Sequence, residues 1–71
     1  MNDKEKIGQR LREIRKEKGI TTYQLADMTG LKQSNISRIE NGRYSTRIDI
    51  LEKIADALGY EIDFVEKKNI G

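Results

Sequence analysis

The chain predicts an all-α fold, a compact bundle of four to five short helices, and three features carry that prediction. Apolar residues recur at helical spacing through most of its 71 residues. Glycines at 19, 30, 42 and 59 stand where each apolar run ends. Two capping-box patterns, Thr21 with Gln24 and Thr46 with Asp49, mark helix starts. Leu, Ile, Val and Phe make up 17 of the 71 residues. That exceeds the share typical of disordered chains and suffices for one modest core. A domain this small often gains stability by oligomerising.

The first helix is expected from Asp3 to Lys18, with Ile7, Leu11 and Ile14 on its inner face and Gly19 just past its end. Thr21 caps a second helix over Thr22–Thr29, which places Leu25 and Ala26 inward and stops at Gly30. The third helix is expected from Gln33 to Asn41, anchored by Ile36 and Ile39. At about 100° per residue its opposite side carries Ser34, Ser37, Arg38 and Asn41. Gln33 projects forward from the first turn, and Asn35 lies nearer the core edge. Asn41-Gly42 closes this helix. The fourth opens on the Thr46/Asp49 box and ends at Leu58, facing Ile50, Leu51, Ile54, Ala55 and Leu58 to the core. These helices form one domain over residues 1–59.

Residues 60–71 form a separate tail. Tyr60, Ile62 and Phe64 alternate with Glu61, Asp63 and Glu66, although Val65 interrupts the pattern. The β-branched and aromatic content predicts a strand over about 60–67. A lone strand exposes unpaired backbone groups, so it needs a partner. The expected partner is the same strand of a second copy, which assigns Tyr60, Ile62 and Phe64 to a homodimer interface.

Composition excludes several functions. With neither cysteine nor histidine, no disulfide or thiolate site can form, and no metal or other cofactor is expected. There is no glycine-rich phosphate loop, and the carboxylates are scattered among lysines as on solvated helix faces. An enzyme is therefore not expected. No apolar run is long enough for a membrane span and nothing resembles a signal peptide, so the expected location is the cytoplasm.

Charge is distributed unevenly. Net charge is only +2, yet residues 31–47 hold four Lys/Arg against one acidic residue, while residues 48–71 hold three against six. The basic excess covers the third helix and the loop after it, which suits a protein that meets nucleic acid on one side.

Residues 21–42 read as two short helices joined by a glycine turn. This is the helix-turn-helix pattern, in which the first helix holds the second in the DNA major groove. Gln33 can bind adenine N6 and N7, and Arg38 can bind guanine O6 and N7; Ser34 and Ser37 can reach either strand. Candidate phosphate contacts are Arg10, Thr22, Lys32, Asn41, Arg43, Tyr44 and Arg47, and the start of helix 2 adds backbone amides. Lys32 is a weak N-cap but a useful cation.

The same stretch resembles the lambda-repressor/Cro-like regulators of bacteria and phage. The resemblance is carried by Ile20-Thr21, Leu25-Ala26, Gly30-Leu31, Gln33-Ser34 and Ile36-Ser37-Arg38-Ile39-Glu40-Asn41-Gly42. Upstream Leu11-Arg12-Glu13-Ile14-Arg15 and the downstream run Leu51–Gly59 also fit, so about residues 5–62 are covered. It implies base reading by Gln33, Ser34 and Arg38 and an ion pair between Arg15 and Glu40, with Arg15 bracing helix 3 rather than touching DNA. It also implies a short fifth helix in the tail, against the strand read from composition. Thr22, Thr29 and Lys32 depart from the family, which has Gln, an apolar residue and Ser there. In the family the Gln at position 22 braces the recognition-helix Gln and touches phosphate; a threonine is too short for both.

The expected function is thus sequence-specific binding of double-stranded DNA at a palindromic operator by a small repressor-like regulator. The alternative is an antitoxin that represses its own operon and binds a toxin protein. A restriction–modification controller would use the same chemistry. A helix-turn-helix fold that binds only protein predicts no affinity for DNA.

Overall fold

The computed structural model describes residues 2–43 and 45–68. Among the described residues four helices follow in order: α1 (Asp3–Glu17), α2 (Thr22–Thr29), α3 (Gln33–Glu40) and α4 (Ile48–Ala57). The all-α expectation holds, and each helix ends within a residue or two of its expected bound.

Local chemistry explains the ends. The Asn2 side chain caps α1 by accepting from the Glu5 N–H at 2.9 Å. Acidic Asp3 and Glu5 sit in the first turn and basic Arg15 and Lys16 in the last, which complements the helix dipole. The Thr21/Gln24 capping box forms in full, at 3.0 and 2.8 Å. Gly30 then turns the chain at φ 73°, a left-handed conformation that a side chain would strain. α3 starts without a side-chain cap, since its N-cap is Lys32.

The second expected capping box does not form. The N-cap of α4 is Arg47 rather than Thr46, and it makes no side-chain capping bond. Asp49 is instead held by the Arg47 guanidinium at 3.0 Å, which takes the carboxylate that the box required.

Leu11, Ile14, Leu25, Ala26, Ile36, Ile39, Ile54 and Leu58 build the core, and Ile20, Leu31, Ile50, Leu51 and Ala57 pack around it. α2 packs on both α3 and α4, and α1 packs on α3. Leu25, Ile36 and Ile54 are the most fully enclosed, each contributing about 1.5–3 kcal/mol by burial. Ile7, expected in the core, is 43% exposed. It walls surface grooves instead.

That crossing is unusually close. A Cβ on Gly8 would overlap the Ile39 carbonyl oxygen and stand 2.9 Å from that of Glu40. Only glycine lets α1 rest on the last turn of α3. Gly42 seals the same junction: its φ is 67°, and a Cβ there would meet the Glu5 Cα at 2.8 Å.

Residues 60–68 carry no regular element. Neither the expected strand nor a fifth helix forms among the described residues. A strand needs ladder partners, and this single chain offers none. Among the described residues, no helix is long and apolar enough to cross a membrane.

Candidate nucleic-acid interface

The two helices of residues 22–40 present one polar edge. Gln33 is half-buried at the first position of α3, while Ser34 and Arg38 are exposed and Ser37 is half-buried. Asn35 is also half-buried, in keeping with its place near the core edge.

The Gln33 side chain is held. Its Nε2 donates to Thr22 Oγ1 at 3.1 Å across the α2–α3 turn. Threonine therefore reaches the recognition-helix glutamine despite its length. One N–H and the carbonyl oxygen of Gln33 remain for the paired bond that adenine N7 and N6 demand. Thr29, where the family carries an apolar residue, is buried without penalty. Its hydroxyl donates to the Leu25 carbonyl at 2.8 Å and accepts from the Leu31 N–H at 3.3 Å.

Beneath the polar edge lies the charged pair implied by the resemblance. Arg15 Nε donates to Glu40 Oε2 at 2.7 Å, and Nη2 donates to Oε1 at 2.9 Å. Nη1 donates to the Ile20 carbonyl at 2.8 Å. The side chains are only 11% and 5% exposed, so Arg15 braces α3 from inside. Hydrogen bonding to Glu40 raises the Arg15 pKa above its ordinary value, outweighing the opposing effect of burial. The charge, and the stability it contributes, is present at every pH below that value and is lost only as pH rises past it.

The candidate phosphate contacts fall into two sets. Lys32, Asn41 and Arg43 are exposed at the two ends of α3. Arg47 is exposed but held by Asp49. Arg10 is not brought to α3: it lines the groove between α1, α4 and the tail, and it stands 3.8 Å from Glu13. Arg12 and Lys16, which the sequence did not single out, share a concavity with Glu40 and Asn41 instead. Tyr44 lies outside the described residues. Of the tail residues assigned to a dimer, Tyr60 and Ile62 are partly covered and Phe64 is wholly exposed.

The polar edge of α3 is thus braced from two sides and lies beside a loop that carries Arg43 and Arg47. The helix-turn-helix family model matches residues 11–65, and the chain belongs to that family. It is 39% identical over 59 residues to the immunity repressor protein of Bacillus phage phi105, covering 83% of this chain and 41% of that one. It is 42% identical over 55 residues to the putative antitoxin HigA2 of Mycobacterium tuberculosis, covering 76% and 54% respectively. The chain thus spans about half the length of these relatives or less. Among solved structures, SinR, a master regulator for biofilm formation, in complex with DNA matches at a TM-score of 0.73. That match has 38% identity and covers 78% of this chain and 89% of that one.

Proposed function

We propose that the chain is a non-catalytic, cytoplasmic regulator that binds a palindromic double-stranded DNA operator as a two-fold pair and represses from it. One observation carries this reading. The outer edge of α3 presents Gln33, Ser34, Ser37 and Arg38, while Thr22 and the Arg15–Glu40 pair hold that helix in place. Residues 1–59 act as the DNA-binding unit and residues 60–71 as the pairing segment. Gln33 and Arg38 read adenine and guanine edges, each good paired contact being worth roughly 1–3 kcal/mol of discrimination. Lys32, Asn41, Arg43 and the Thr22 hydroxyl take phosphates, with Tyr44 and a released Arg47 beside them. Arg12 and Lys16, next to Asn41, are better placed for the phosphate role first assigned to Arg10.

Selection from a random duplex library tests this reading. An enriched inverted repeat with half-sites about one helical turn apart is expected; no enrichment at moderate salt overturns it.

A second reading is supported by the likeness to HigA2. As an antitoxin the chain would also hold a toxin protein. A complex formed with the product of an adjacent gene, neutralising that product's toxicity, would establish it.

A further inference from the structure

A paired adenine shows the major groove two groups, the N7 acceptor and the N6 amino donor. One N6 hydrogen is spent on the pairing thymine, so a single N–H is left in the groove. A methyl group on N6 that preserves pairing takes the place of that hydrogen. It removes the donor and fills the space in front of it, while N7 stays open. A side chain that uses both groups loses one of them. How much it loses depends on whether it can turn aside.

Gln33 cannot turn far. Its Nε2 donates to Thr22 Oγ1 at 3.1 Å, and both residues are half-buried. Thr22 stands in the first turn of α2, which the Thr21/Gln24 capping box closes at 3.0 and 2.8 Å. Leu25, Ala26 and Thr29 bury the other side of that helix. With one N–H given to Thr22, Gln33 keeps its second N–H for adenine N7 and its carbonyl oxygen for the N6 hydrogen. Turning the amide over does not rescue the contact. The threonine hydroxyl can donate as well as accept, but either end of the tethered amide then meets the methyl group.

We propose that the chain distinguishes unmodified adenine from N6-methyladenine at the position Gln33 reads, so that an adenine-specific DNA methyltransferase acting on the operator releases the protein. This rests on the reading of Gln33 as an adenine contact. Methylation removes one of the two hydrogen bonds and leaves the Gln33 carbonyl facing a methyl group as an unsatisfied acceptor. Affinity should fall roughly tenfold for each methylated half-site.

Synthetic duplexes of the operator selected by the native chain test this, with and without N6-methyladenine at one adenine in each half. That adenine is the one at which Gln33→Ala loses its preference in the same selection. Fluorescence anisotropy reads the affinities. The native chain should bind the methylated duplex roughly tenfold more weakly per half-site. Gln33→Ala, which makes neither contact, should bind both duplexes alike. Thr22→Val should narrow the native difference, because the freed amide can turn aside. Equal native affinity for the two duplexes, with Gln33→Ala still losing the adenine preference, overturns the methyl discrimination and leaves base reading intact. A methylation penalty as large for Gln33→Ala as for the native chain also overturns it, because the effect then lies in the DNA. A Gln33→Ala variant that keeps every base preference of the native chain overturns both.

Discussion

Replacing Glu40 by glutamine keeps the side-chain shape and removes one charge, which isolates what the buried pair contributes. The amide would turn an NH₂ group toward a guanidinium that has only donors. Arg15 would be left charged at 11% side-chain exposure. Breaking a buried pair by removing one partner costs roughly 3–5 kcal/mol, and a domain of this length has only roughly 4–10 kcal/mol in total. With a urea slope of about 1 kcal/mol per molar, the midpoint should fall by roughly 3–5 M. Urea unfolding followed by far-UV circular dichroism reads it. Glu13→Gln is the control, because the Arg10–Glu13 contact is 3.8 Å long with both side chains over half exposed; it should cost under about 1 kcal/mol. Arg15→Met with Glu40→Leu should recover most of the loss, falling short by about 1 kcal/mol for the Ile20 carbonyl left without its donor. A Glu40→Gln loss under about 1 kcal/mol would refute the bracing role.

Gly8→Ala should destabilise by roughly 1–3 kcal/mol, because the methyl group meets backbone that cannot rotate aside; thermal unfolding reads this. Thr22→Val should weaken discrimination by about 0.5–1.5 kcal/mol at the one base pair read by Gln33, with Thr22→Ser retaining it. Equal weakening across all sites would make Thr22 a phosphate contact alone. Affinity for the selected operator should fall steeply with salt, and Arg43→Ala should reduce the slope by about 1 while lowering affinity on every sequence. An unchanged slope would remove Arg43 from the phosphate set.

The motif itself was legible because its signals are local. Thr21 with Gln24 and then Gly30 fix α2 without help from the rest of the chain. Ile36 and Ile39 give α3 its inner face for the same reason. What sequence missed depends on neighbours brought together from afar. The Thr46/Asp49 box lost to an ion pair with Arg47 that spacing alone does not rank. A helical wheel gives Arg10 and Arg12 their directions but not what stands beside each, and α3 stands on the side of Arg12. Gly8 did leave a signal. A glycine inside a helix costs about 1 kcal/mol relative to alanine, and its place at helical spacing before the buried Leu11 and Arg15 marks a close approach. The helix–helix distance at the turn, which the sequence does not contain, decides whether Thr22 can reach Gln33.

Base reading by α3 is tested most directly by comparing sequences selected from a random duplex library by the native chain and by the Gln33→Ala, Arg38→Ala double variant. Both substitutions remove side chains at the polar edge and leave the core residues and the Arg15–Glu40 pair in place. The native chain should enrich an inverted repeat, and the variant should lose preference at one adenine and one guanine position in each half. The same repeat enriched equally by both proteins would contradict readout through this helix.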